Sequence, residues 1–463
     1  MRSRGALPPP AFEAAREAIE RARAGGRAVI LAAAAPAAAA APLDRIRAED
    51  PLPHVAWSAR DGELDLAGTG VSVGVEASGA AALHEAISRV ENLLSRVVTW
   101  GAPPGTVPRF LGGAAYDPAA PAPSWRGFPD AWFVLPRILF WRRGGGHGVT
   151  IQLVVEPDAS EAAVVHELAA GLGLAERAPR ARPPLAPAGR RLDDPEAETR
   201  WSAGVTSALA EIAAGRLGKV VLARAIAMGA EREIDPAAVL RTLAETAGDC
   251  FCFLIDRGET AFVGASPERL LRVQGDRVLA DCIAGTAPRG RDPALDRVLA
   301  RELAASEKER REHRHVVDWV QAVLERHCTS VETGEQPEVL SLATLHHLSL
   351  PISGRLRPDA DLGSVLADLH PTPAVGGLPR REALAFIRRA ESEGRGWYAG
   401  PVGVIEPGRA EFAVAIRSAL IRGRNARVFA GGGIVEGSRP EIEWLETEAK
   451  AAQLVALLSR RSS

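Results

Sequence analysis

The stretch 430–450, AGGGIVEGSRPEIEWLETEAK, limits what this chain can fold into more than any other part of it. It runs from the apolar residues Val428-Phe429-Ala430 through three consecutive glycines into a helix start. Three glycines in a row let a ligand approach bare backbone, and their N–H groups suit a carboxylate or phosphate. Ser438 and Glu441 stand at capping-box spacing with Pro440 inside the first turn, which predicts a helix beginning there. On that helix Glu443, Glu446 and Lys450 fall at i, i+3 and i+7 within one narrow arc. Leu445, Ala449, Ala452 and Ala456 line the neighbouring arc, which the pattern predicts to be the buried side. Two carboxylates and an ammonium beside a buried face can hold a divalent cation and an anionic ligand. An exposed Glu446–Lys450 pair at i, i+4 is the ordinary alternative.

The chain has 463 residues, enough for two or three domains and a large core. Its 56 basic and 58 acidic residues nearly cancel, which gives no global reason to expect nucleic acid or an acidic membrane as partner. Cys250, Cys252, Cys282 and Cys328 are too few and too irregularly spaced for a disulfide framework or a zinc site, so a reducing cytoplasm is expected. The alanine-rich run 28–43 is broken by Pro36 and Pro42 and follows a charged helical pattern. It fits a buried strand over 27–35 better than a signal peptide or a membrane span.

Residues 1–174 read as an α+β half: a helix over 12–24, a hairpin of 54–58 and 64–68 around Asp61-Gly62, a helix over 80–98, and strands over 133–141 and 149–155. No cluster in this half looks catalytic. Residues 175–194 crowd arginines and prolines together and read as an extended, solvated connection. The region 195–463 opens with a helix striped by Trp201, Val205, Leu209 and Ile212, then an apolar strand over 219–228. Short strands over 251–255, 260–263, 269–273 and 277–283 predict an antiparallel meander. A helical run over 292–327, either one long helix or two, is followed by a helix over 380–393 and strands over 402–405, 411–420 and 427–430.

Several residues in this region stand out chemically. Lys219 opens an otherwise apolar strand, where it either snorkels or serves as an amine with a pKa lowered by desolvation. Glu268 sits in a tight turn, Ser266-Pro267-Glu268, where it is either solvated or aimed into a cleft as a general acid. The glycine-bracketed loop 285–290 offers Thr286 and Arg289 to an anion. Glu309 and Glu312 lie one turn apart in the run SEKERREHRH, which is either half of a metal site or a solvated charged face. His346-His347-Leu348 and the run 369–379 read as loops dense in His, Pro and Gly that serve as cleft walls, and Tyr398 joins the list of candidate site residues. Arg417 interrupts an apolar strand, where a lone charge is costly unless paired and where a guanidinium suits bidentate capture of a carboxylate.

In order and spacing, KVVLAR, GASPERLL, IAGTAPRG, EKERREH, HHLSLPISG, LHPTPAVGG, GWYAGPVG, AIRSALI and AGGGIVEGSRPEIEWLETEAK resemble the chorismate-utilising enzymes, most closely their isochorismate synthase branch. The likeness is strong over 201–458 and looser before it, and the longer N-terminal half resembles the menaquinone-type branch. The resemblance implies an α+β fold with an antiparallel sheet core wrapped by helices. It implies Lys219 as general base and Glu268 as general acid. Glu312 and Glu446 would ligate Mg²⁺, with Glu309 and Glu443 supporting them through water. Arg417, Tyr398, the Gly432 and Gly433 amides and Lys450 would hold chorismate, and Thr286 and His347 would line its ring. Related synthases that use ammonia usually carry a lysine at Ala284 or a glutamine at Lys219, so water is the nucleophile expected here. No glutamine amidotransferase subunit is expected. Salicylate synthase, which adds pyruvate elimination, shares these residues and is the alternative. Leu350 departs from the small hydroxyl residue common in the family at its position.

Overall fold

The computed structural model describes residues 9–35, 37, 40–101, 106–179, 189–342 and 345–459. The middle of the arginine- and proline-rich connection, 180–188, lies outside them. Among the described residues ten α-helices wrap one large, mostly antiparallel sheet, an α+β architecture. Val29–Ala35 and Val97–Trp100 form its parallel pair.

The sheet forks at the long strand Ala131–Arg143. One edge of that strand pairs with Leu64–Ala77; the other is shared between Phe110–Ala114 and Gly146–Val155. From Leu64–Ala77 a first arm runs through His54–Ser58, Phe251–Asp256, Ala261–Ser266, Ser418–Arg422, Asn425–Ile434 and Lys219–Gly229. From Phe110–Ala114 a second arm runs through Pro401–Glu406, Arg409–Val414, Arg269–Gln274, Arg277–Pro288 and Leu345–Leu356. Residues of both arms, among them Phe253 and Phe262 of the first and Leu271 and Phe412 of the second, share one apolar cluster. Burial of such side chains is the main term holding the arms together.

Two expectations change here. The meander over 251–283 is interrupted: Ala261–Ser266 belongs to the first arm and Arg269–Gln274 to the second, so the chain crosses between arms at Pro267 and Glu268. The strand expected over 411–420 is likewise two strands, Arg409–Val414 and Ser418–Arg422, with a second crossing between them. Arg417 lies in that crossing at a positive φ of 52°, a conformation rare for a side-chain-bearing residue and most often met at functional positions. Glu268 and Arg417 therefore both sit where the chain leaves one arm for the other.

The long helical run divides into Pro293–Ala305 and Glu307–His327 at Ser306, whose Oγ accepts the Glu309 N–H at 3.3 Å. That cap sets the first turn of the helix carrying Glu309 and Glu312. The closing helix starts at Pro440, and Ser438 Oγ turns back to accept the Val435 N–H at 3.2 Å, so the expected capping box does not form. Its buried side is also a correction. Leu445 is 61% exposed and Ala452 and Ala456 are exposed, whereas Glu443 and Thr447 are buried together with Ala451, Leu454 and Leu457. The glutamate side faces inward because the charged groups of neighbouring elements meet it there.

Candidate active site

Glu268 is buried, with its N–H donated to Ser266 Oγ at 3.2 Å and its carbonyl accepting the Val414 N–H at 3.0 Å. Both crossings are thereby tied to each other. Burial pushes the Glu268 carboxyl up to about 8; the ammonium groups of Lys219 and Lys450 work against this and the Asp281 carboxylate adds to it. At neutral pH the group is largely protonated, as a proton donor must be.

Lys219 begins its strand fully buried, and its Nζ lies 3.0 Å from Glu312 Oε1. Burial opposes ionisation of Glu312, but Lys219, Lys450 and Lys308 outweigh it and hold its pKa below the ordinary value. Gly433 explains itself here: a Cβ on it would stand 2.5 Å from Glu312 Oε1 and 3.4 Å from Lys219 Cε. The glycine run is a paired strand, with Gly432 opposite Leu222. Val221 and Ala223 donate their N–H groups away from it, to Gly376 O and Glu391 Oε1. The peptide groups of Gly431 and Gly433 accordingly point out of the ladder, and Gly431 O accepts Lys450 Nζ at 3.0 Å.

The remaining carboxylates also face ammonium groups. Lys450 Nζ is 2.5 Å from Glu446, and Lys308 Nζ is 3.3 Å from Glu443 and 3.7 Å from Glu309. Glu309 Oε2 accepts the Thr286 N–H at 3.0 Å, which ties the helix Glu307–His327 to the glycine-bracketed loop. Burial and then their carboxylate neighbours raise the pKa values of Glu309 and Glu443.

On the opposite wall His347 Nδ1 lies 3.0 Å from Gly285 O, and its Nε2 lies 3.2 Å from Arg417 Nη2. A carbonyl only accepts, so Nδ1 carries the proton and Nε2 accepts from the guanidinium. Burial, helped by Arg417 and Lys450, lowers the His347 pKa to about 3 and keeps the ring neutral. Tyr398 stacks on Phe429 with ring centroids 5.1 Å apart. One cavity is lined by Glu268, Thr286, Glu312, His347, Tyr398, Arg417, Gly433 and Lys450. A cavity with a protonated carboxyl, a guanidinium and an ammonium group suits an anionic small molecule undergoing acid-assisted chemistry.

Residues 17–459 match the family model described as chorismate binding enzyme. The chain belongs to the chorismate-binding enzymes. It is 38% identical over 356 residues to the salicylate biosynthesis isochorismate synthase of Pseudomonas aeruginosa, covering 76% of this chain and 74% of that one. Against an isochorismate synthase of Bacillus subtilis it is 35% identical, with the same coverage. The solved menaquinone-specific isochorismate synthase of Escherichia coli superposes with a TM-score of 0.78 at 28% identity, covering 96% of this chain and 100% of that one.

For a chorismate-binding enzyme the placement of the expected residues is informative. Lys219, Glu309, Glu443, Glu446 and Gly432 do not line the cavity directly. Lys219 reaches it through Glu312, Glu446 through Lys450 and Glu309 through Thr286, while Glu443 Oε2 lies 3.6 Å from where a Gly432 Cβ would be. Ala374 and Val375 line the cavity as the run 369–379 predicts, whereas His346-His347-Leu348 belongs to the strand Leu345–Leu356 and is not a loop; sequence reasoning passed over Lys308, although it directly precedes Glu309, and Ile416, which supplies apolar wall. Among the described residues no three metal-ligating side chains come close enough to hold an ion unaided. The carboxylates are nonetheless the all-oxygen set that suits Mg²⁺, which commonly takes one or two carboxylates and completes its shell with water and substrate. A larger cavity of about 510 Å³ lies across the Tyr398 and Phe429 wall, lined by Arg224, Trp201 and Glu391, and neither Glu268 nor Lys219 lines it. No helix among the described residues is long and apolar enough to cross a membrane.

Proposed function

We propose that this enzyme isomerises chorismate to isochorismate with Mg²⁺ as cofactor. The observation that carries the reading is geometric: Glu268, a buried carboxyl whose pKa burial raises, shares one cavity with the cationic groups Arg417 and Lys450. The names of the relatives support it, and they do not favour the pyruvate-eliminating alternative.

In this reading Arg417 pairs with one substrate carboxylate, its guanidinium already oriented by the hydrogen bond to neutral His347. Only the neutral amine form of Lys219 can act as the base, and in this reading that form takes a proton from the water that attacks ring C2. Glu268 gives its proton to the C4 hydroxyl, which leaves as water while the double bonds shift between C2 and C4. One water enters and one departs, so the net reaction is an isomerisation. Glu312 and Glu446, supported by Glu309 and Glu443, would hold the Mg²⁺. Bound there, Mg²⁺ would supply positive charge to offset that of the substrate carboxylates. Tyr398 and the peptide groups of the glycine strand close the wall on the substrate.

Incubation of the protein with chorismate and Mg²⁺, with the product identified by NMR, tests the proposal. Isochorismate without pyruvate is expected, and activity should disappear reversibly on chelation. Pyruvate release, no turnover, or full activity in excess EDTA contradicts it.

A further inference from the structure

The first half of the chain, which shows no catalytic motif of its own, reaches the acid through one side chain. Arg60 stands in the turn Ala59 to Gly62, closed by the Gly62 N–H donating to Ala59 O at 3.0 Å, with Gly62 at a φ of 68°. This is the tip of the hairpin made by His54–Ser58 and Leu64–Ala77. Arg60 Nη1 donates to Pro267 O at 2.9 Å and lies 2.9 Å from Asp281 Oδ2. The Arg60 side chain is 18% exposed, and its guanidinium lies over the Phe251 ring, 5.7 Å from its centroid. Its neighbour Asp61 pairs with Arg272, on the strand that follows the crossing.

The segment being gripped lies outside the strand ladders. Pro267 has no N–H to donate, so its carbonyl is its one backbone hydrogen-bonding group. The other anchors of this crossing, Ser266 Oγ and the Val414 N–H, hold Glu268 itself. Arg60 supplies the anchor one residue earlier, from 207 positions away in sequence. Asp281, buried between Arg60 and Arg269, is a carboxylate whose field reaches Glu268, so the same guanidinium also compensates that charge.

We propose that Arg60 is a positioning residue for the reaction: by holding Pro267 O and Asp281 together it fixes the crossing that aims the Glu268 carboxyl at the substrate. The inference rests on Glu268 being the acid. Its signature is coupling, because a residue that acts only through Glu268 loses its effect when Glu268 can no longer donate a proton.

The test is a double-mutant cycle on the full-length protein with chorismate and Mg²⁺. Arg60→Ala is expected to lower kcat ~10–100-fold, the scale of a small misplacement of a reacting group, with chorismate Kd changed less than ~3-fold. In a Glu268→Gln background the same substitution should cost less than ~2-fold. Arg60→Lys, which keeps the charge on Asp281 but has a single ammonium to share with Pro267 O, should fall between and carries the same cycle if the alanine variant does not fold. An unchanged kcat, or an equal loss in both backgrounds, overturns the inference and leaves Arg60 a structural ion pair. Absence of chorismate turnover by the parent protein contradicts the functional reading instead, so the two failures are distinct.

Discussion

Two buried charge clusters lie within this fold and are built differently. In the second arm Glu406 meets Arg109 Nε at 2.6 Å and Arg143 Nη2 at 2.8 Å, and Glu411 meets Arg269 Nε at 3.0 Å and Arg272 Nε at 2.7 Å. Here the cations are arginines, whose planar fork fixes the geometry and whose charge does not titrate. Around the cavity the carboxylates instead face lysines, which are compact charges on flexible stems, and burial pushes the Glu268 pKa up to about 8. Among buried charges in one protein, committed partners mark structure and uncommitted or exchangeable ones mark chemistry.

The comparison can be broken at several points. Lys219→Ala and Glu268→Gln should each lower kcat roughly 10²–10⁴-fold, the range of a positioned proton-transfer group, with little change in the melting temperature of Glu268→Gln. Steady-state kinetics beside calorimetry checks this; an unchanged kcat in the lysine variant would mean that something else activates water. Glu406→Gln should do the reverse, costing about 3–5 kcal/mol of stability by stranding buried arginines while the folded enzyme keeps its kcat. Denaturant titration measures that loss.

The sign of the pH dependence follows. Burial opposes ionisation of Glu406, but Arg109 and Arg143 outweigh it and depress its pKa, so its contribution is full above the ordinary value of 4.5 and is lost as pH falls below it. Melting curves between pH 3 and 6 should show this loss in the parent and not in Glu406→Gln. A smaller effect is expected at the carboxylate anchor. Arg417→Lys removes one charge-assisted hydrogen bond, about 1.5–3 kcal/mol, and should raise KM more than it lowers kcat. Unchanged kinetics would place Arg417 outside substrate recognition.

Much of the site was legible because its parts are local. The spacing of Glu443, Glu446 and Lys450 was readable from helical geometry, as was the one-turn separation of Glu309 and Glu312. The inward face of the closing helix was misread because apolar residues are ordinarily the buried ones, and here Glu443 and Thr447 are buried against charges from elements distant in sequence, Lys308 of a helix and Arg224 of a strand. The crossings at Glu268 and Arg417 looked like a turn within one sheet and an uninterrupted strand, since the pairings that split the arms lie far apart in sequence. Arg60 gave no signal, because nothing local distinguishes a hairpin-tip arginine that meets Pro267 from one that meets water.

The central claim is that burial keeps Glu268 protonated so that it can act as the acid, and the pH dependence of kcat/KM for chorismate tests it most directly. The protonated form is the active one, so activity should hold below the Glu268 pKa and fall about tenfold per pH unit above a limb near 8. That limb should be absent from the residual activity of Glu268→Gln. A limb that persists unchanged in the glutamine variant would contradict the account.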